Sequence, residues 1–301
     1  MRGSQAALEY PAKGKKMIEG LRQEAMAAVY RMRTFSLCRE VWGSAISDIT
    51  RDMTDPKAIY DLGSKLAEVF ALTGSAGRDQ SSLSGGGAAW EGLICWYLNT
   101  VLTDTRAVVM KQSKALVPNV VSNAMTITYK NVRTNTESDL TGIVLPRNQE
   151  LINGIYERDR FNELISQNLR LTSVHSIQCK TNWNDNAQIP MLWDMVYQFR
   201  DVKSHSVKIG VDGVDLDDFA DFTYSFVTVP TGKKVVKPNS MQVHRVHSLS
   251  GGNYWGRPSQ NGVAESIPEI FKRVFKHAFD LDVRTHIKNL VDNGRIRGLT
   301  P

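Results

Sequence analysis

Five short segments of β-branched or alternating character, MTITYKNV, DLTGIVLP, SVHSIQCK, HSVKIGV and FTYSFVTVP, crowd into the middle of the chain between residues 125 and 230. Most of a sheet therefore lies there. Helical patterns surround and interrupt it. Met17, Leu21, Ala25, Ala28 and Met32 fall on one face of a helix, and Tyr60, Leu62, Leu66, Val69 and Phe70 behave similarly, so residues 15 to about 70 read as helical. Further helices are expected at about 147–168 and 189–200, with a closing helix from Ile267 to Phe279 introduced by Ser266 and Pro268. This order predicts an α/β fold, a mixed central sheet flanked by helices with an N-terminal helical elaboration. The expected division is a helical region over 1–78 and a core over 79–301.

Of the 301 residues, 42% are hydrophobic and 23% charged, enough apolar material for a sizeable core. No apolar run approaches the ~20 residues that cross a bilayer, and the opening MRGSQAALEYPAKGKK has charge without an apolar stretch behind it. A cytoplasmic protein without membrane partners is expected. Cys38, Cys95 and Cys179 are odd in number, far apart and set among apolar neighbours, so they read as buried thiols, not as disulfides or zinc ligands. The net charge of +6 suits a polyanionic partner, though many proteins that never touch one share it.

Chemistry-bearing residues concentrate around two strands and one helix. In SVHSIQCK, Gln178 and Lys180 are two apart and so share one face of a strand, with Ile177 and Cys179 on the other. Asp139 opens DLTGIVLP, which places a carboxylate beside that polar pair if the two strands are neighbours. Hydrolysis of a phosphodiester needs hard oxygen ligands for Mg²⁺ and a cation near the attacked phosphate. Asp139 and Gln178 could hold the metal, with the backbone carbonyl between Gln178 and Lys180, and Lys180 is the cation. Taken alone, an Asp followed at a distance by Gln-x-Lys is common by chance. Upstream, the breaker TGSAGRDQSSLSGGG ends in a strongly apolar helix where Glu91 shares a stripe with Gly87, Ile94, Cys95, Leu98 and Leu102. A carboxylate buried there needs a cation or donor; otherwise it sits at the rim of the stripe.

SGGGAAWEGLICWYLN, then SDLTGIVLP, then SVHSIQCKTNWND together resemble the core of type II restriction endonucleases of the PD-(D/E)XK nuclease superfamily. The resemblance covers about residues 80–200. It implies a restriction-endonuclease-like core in which Glu91, Asp139, Gln178 and Lys180 are catalytic. It also implies Mg²⁺-dependent, sequence-specific cleavage of double-stranded DNA, commonly by a homodimer. Gln178 departs from the pattern, which has Glu or Asp there. The alternatives are a structure-selective or repair nuclease on the same core, and a catalytically dead DNA-binding protein, for which Gln178 is the feature to cite.

Candidate DNA contacts follow directly after Lys180 and recur further along the chain. The amide-rich TNWND region offers Asn182, Asn184, Asp185 and Asn186, either to adenine edges or to their own backbone in a turn. Lys233, Lys234 and Lys237, with His244, Arg245 and His247, form a basic stretch after an acidic one at Asp212–Asp221; both also read as solvated loop. In HRVHSLSGGNYWGRPSQNG, Arg245, Tyr254 and Arg257 sit among glycines, as in a loop approaching DNA or a packed surface loop anchored by Trp255. Gly-x-Ser-x-Gly, GxxxxGK[ST] and His-Glu-x-x-His are all missing from the sequence, so the local signatures of α/β-hydrolase, P-loop and zinc-protease chemistry are lacking.

Overall fold

The computed structural model describes residues 15–72, 84–129, 132–134, 138–181, 207–229, 237–256 and 263–299. The helical stretch near the start is three helices, α1 (Met17–Tyr30), α2 (Arg33–Thr50) and α3 (Pro56–Ala71). Between α2 and α3, Arg51, Asp52 and Met53 all have positive φ, a left-handed run that non-glycine residues adopt only at a cost. Thr50 helps hold it: its hydroxyl donates to the Ile46 carbonyl at 2.7 Å and accepts from the Met53 amide at 3.1 Å. Asp55 then caps α3 by accepting the Ala58 amide, with Pro56 in the first turn.

Next comes α4 (Ser84–Val101), the central helix. From Ala89 to Asn99 every residue except Glu91 is buried. A helix apolar on every side belongs in an interior, and α4 packs between α2 and α3 on one side and the sheet on the other.

The strands are β1 (Ala107–Lys111), β2 (Ile127–Tyr129), β3 (Val132–Thr134), β4 (Leu140–Val144), β5 (Ser173–Lys180), β6 (Val207–Ile209), β7 (Asp221–Thr228), β8 (Tyr254–Gly256) and β9 (Glu265–Ser266). The main sheet has the order β1-β4-β5-β7-β8-β9. Its first three strands are antiparallel and its last four run parallel from β5 onward, so the sheet is mixed. A small second sheet, β3-β2-β6, takes MTITYKNV and HSVKIGV out of the main one.

Further helices are α5 (Asn119–Ala124), α6 (Gln149–Asn153), α7 (Arg158–Gln167), α8 (Met241–Leu249), α9 (Glu269–Arg273) and α10 (Val283–Asp292). Val109, Leu140, Ile177, Cys179 and Val227 join one apolar cluster with α2, α3, α4 and α9, while Val108, Met110, Ile143 and Val174 join another with α1, α5 and α7. The protein is thus α/β, a mixed central sheet flanked by helices, and α2 and α3 share a core with the sheet. All three cysteines are free and buried, as the sequence suggested.

Three readings differ from expectation. The closing helix over 267–279 is only the short α9 followed by a 3₁₀ turn at Lys276–Ala278, and α10 lies beyond it. The signal for α10 is Asp282, whose carboxylate accepts the amides of Arg284 and Thr285. Strand β1, AVVMK, was not among the expected strands, since so short an apolar run fits helix or strand alike. The segment read as a basic loop folds into α8 and β8. The helix expected at 189–200 lies outside the described residues.

Candidate active site

Glu91, Cys95 and Asn99 are spaced by four and form one row along α4, facing β1. Asn99 is bonded to that edge strand as a neighbouring strand would be: Nδ2 donates to the Val109 carbonyl at 2.6 Å and Oδ1 accepts the Val109 amide at 3.1 Å. The Cys95 thiol reaches the same carbonyl at 3.5 Å. Lys111 is two residues beyond Val109 and so on the same face. It therefore meets Glu91 one turn up α4, with Nζ 2.7 Å from Oε2.

Asp139 precedes β4 by one residue, and its carbonyl accepts the Gln112 amide at 3.1 Å. The β4–β5 register pairs Leu140 with Ile177, which puts Asp139 beside Gln178. Oδ2 of Asp139 accepts Nε2 of Gln178 at 2.9 Å and the Cys179 amide at 2.8 Å, with Lys180 Nζ at 3.7 Å. At that distance Lys180 contributes charge and not a hydrogen bond. An ionised carboxylate only accepts, so the Gln178 amide nitrogen must face Asp139, and its Oε1 is left to accept the Tyr224 hydroxyl at 2.9 Å. Gln178 and Lys180 share one face of β5, as strand alternation predicted.

These residues form one electrostatic cluster at one end of the sheet. Burial pushes Asp139 above the usual carboxylate range; Lys180 and the Cys179 amide oppose this, and Glu91 adds to it. Burial wins because the Lys180 contact is long. The four charged side chains, Glu91, Lys111, Asp139 and Lys180, are between 18% and 24% exposed, open enough for a ligand and enclosed enough for charge to matter. No local signal in the sequence marks Lys111 or Tyr224: AVVMK is too short to distinguish helix from strand, and nothing local ties β7 to Gln178.

The donor set fits a hard cation in part. The hydrogen bonds and closest ammonium contacts fall on Asp139 Oδ2 and Glu91 Oε2, leaving Asp139 Oδ1 and Glu91 Oε1 without a hydrogen bond among the described residues. With Gln178 Oε1 these are the hard oxygens Mg²⁺ prefers. No group of three or more His, Cys, Asp and Glu able to hold a metal occurs among the described residues.

The candidate DNA contacts are placed unevenly. Lys237 is exposed, and Arg245 is half-buried on α8 with Nη1 lacking a partner among the described residues. Tyr254 corrects an expectation: it lies in β8 and is 1% exposed, its hydroxyl accepting from Thr228 at 3.2 Å, so it packs the sheet and is shielded from DNA. His247 likewise turns inward, edge-on to Tyr254. Asn182, Asn184, Asp185, Asn186, Lys233, Lys234 and Arg257 lie outside the described residues. A cleft of about 1340 Å³ opens at the other end of the sheet, lined by Arg22, Arg106, Arg147 and Arg295 among others; none of the cluster residues borders it.

The chain matches no protein-family model, and a search of curated proteins finds no match either. No helix among the described residues is long and apolar enough to cross a membrane.

Proposed function

We propose that this protein is a Mg²⁺-dependent endonuclease of the restriction type, cleaving double-stranded DNA at a specific sequence and acting as a homodimer. The observation that carries this reading is the meeting of Asp139 with Gln178 and Lys180 at adjoining strand ends, with the Glu91–Lys111 pair close enough to act on the same carboxylate. The order helix-borne Glu, strand-borne Asp, then Gln-x-Lys on the next strand is the order that a restriction-endonuclease-like core implies.

Asp139, Glu91 and the Gln178 carbonyl oxygen would hold the ion, which when bound supplies Lewis-acid charge at a phosphate oxygen. Lys180 holds positive charge where negative charge develops during attack on phosphorus. Tyr224 orients Gln178, and Gln178 in turn orients Asp139, so the carboxylate is set before substrate arrives. Lys237 and its basic neighbours in sequence would bind phosphates without reading bases.

A second reading, a DNA-binding protein that does not cut, is favoured by Gln178 and by the pairing of both carboxylates with lysines. Incubation with phage DNA, with and without Mg²⁺, separates the readings. Discrete fragments requiring Mg²⁺ support the specific endonuclease; a smear or a need for branched substrates supports a structure-selective nuclease. Binding without cutting supports the second reading, and cutting in excess chelator overturns the metal chemistry.

A further inference from the structure

The endonuclease reading leaves Lys111 without a role, although its side chain is largely enclosed and makes the shortest ion pair of the cluster. We propose that Lys111 takes the place of a second cation at this site, so that each chain holds one divalent ion. The inference rests on the metal-dependent reading above.

Charge supports it first. Two carboxylates, Glu91 and Asp139, face two ammonium groups, Lys111 and Lys180, so the cluster is formally neutral before any metal binds. One divalent ion brings it to +2 and a second to +4, with only the scissile phosphodiester left to offset the excess. Like charges gathered in a partly enclosed site are strongly disfavoured.

Geometry supports it independently. Gln178, the side chain beside Asp139 on β5, is neutral and adds no negative charge, and its Nε2 is already donated to Asp139 at 2.9 Å. Glu91 is the one residue from Ala89 to Asn99 that is not buried, and Lys111 occupies its Oε2. Lys111 is carried to that spot by a strand that Asn99 fastens to α4 at Val109, so the ammonium is part of the packed framework. Glu91 thus keeps one oxygen for an ion and gives the other to a cation that the chain supplies itself.

Counting bound Mn²⁺ by electron paramagnetic resonance, on the full chain without DNA, tests this directly. The parent and Lys111→Arg are expected to bind one ion per chain. A Lys111→Met, Gln178→Glu double variant has a formal cluster charge of −2 and is expected to bind two ions, reaching the same +2 as the parent with one. Lys111→Met alone is expected to bind its ion about tenfold tighter, because a like charge has been removed from the ion's surroundings; this arm decides the matter if circular dichroism shows the double variant unfolded. Two ions in the parent, one in a folded double variant, or unchanged affinity in Lys111→Met would overturn the assignment of Lys111. No bound Mn²⁺ in the parent would instead overturn the metal-dependent reading itself.

Discussion

Gln178 donates its amide proton to Asp139 Oδ2 at 2.9 Å and accepts the Tyr224 hydroxyl at 2.9 Å, so both ends of one neutral side chain are positioned before any ligand binds, with one lone pair of Oε1 still open. Replacing it by Glu places two carboxylates within hydrogen-bonding distance in a partly enclosed site. They cannot both ionise comfortably without a cation. Gln178→Glu is therefore expected to lose on the order of 1–3 kcal/mol of stability in metal-free buffer and to recover much of it in Mg²⁺. Thermal melts with and without Mg²⁺ measure this; no loss in metal-free buffer would refute the hydrogen-bond assignment, and equal losses in both buffers would refute Mg²⁺ binding at the site.

Lys180 lies 3.7 Å from Asp139 and provides charge at the site without a hydrogen bond. If the protein is the proposed nuclease, Lys180→Ala should slow single-turnover cleavage by about a hundredfold or more, corresponding to roughly 3 kcal/mol of lost barrier lowering. Binding of DNA in Ca²⁺ should stay close to that of the parent. A Lys180→Ala protein that cuts at the parental rate would sink the active-site assignment.

The basic stretch carrying the exposed Lys237 predicts a different behaviour. Alanine at Lys233, Lys234 and Lys237 should weaken binding to all DNA sequences alike and flatten its salt dependence, since phosphate contacts release counterions without reading bases. Fluorescence anisotropy across a salt titration decides it; an unchanged slope would mark the stretch as solvated loop.

His175 makes a pH prediction that is independent of DNA. It is buried on β5, with Nδ1 2.8 Å from Thr223 Oγ1, its ring edge-on to Phe275, and Nε2 without a partner among the described residues. Burial lowers its pKa from 6.5 to about 4. Between those values the unfolded chain binds the proton and the folded one does not, so stability falls as pH drops from about 6.5 and levels off near 4. The linkage amounts to roughly 3 kcal/mol. Urea melts of the parent and His175→Asn across that window should show a shallower acid-side slope in the variant, and parallel slopes would refute it.

Asp139, Gln178, Lys180 and Glu91 were legible from the sequence for local reasons. Strand alternation has a period of two, so Gln178 and Lys180 had to share a face wherever β5 packed, and a carboxylate in an otherwise apolar helix stands out at Glu91 without knowledge of its neighbours. Even the pairing of Asp139 with Gln178 needed only that β4 and β5 be adjacent. Lys111, Tyr224 and Tyr254 were decided by tertiary structure alone. Lys111 depends on Asn99 clasping β1, a fold-back of α4 onto the next strand that neither element's own period records, and Tyr224 depends on β7 lying parallel beside β5, 46 residues on from Gln178. Tyr254, flanked by glycines and basic residues, carried the composition of an exposed loop, but β8 pairs with β7 and β9 and buries it. Which neighbours a strand acquires depends on how the whole sheet and its helices pack, a global balance that no short window of residues records.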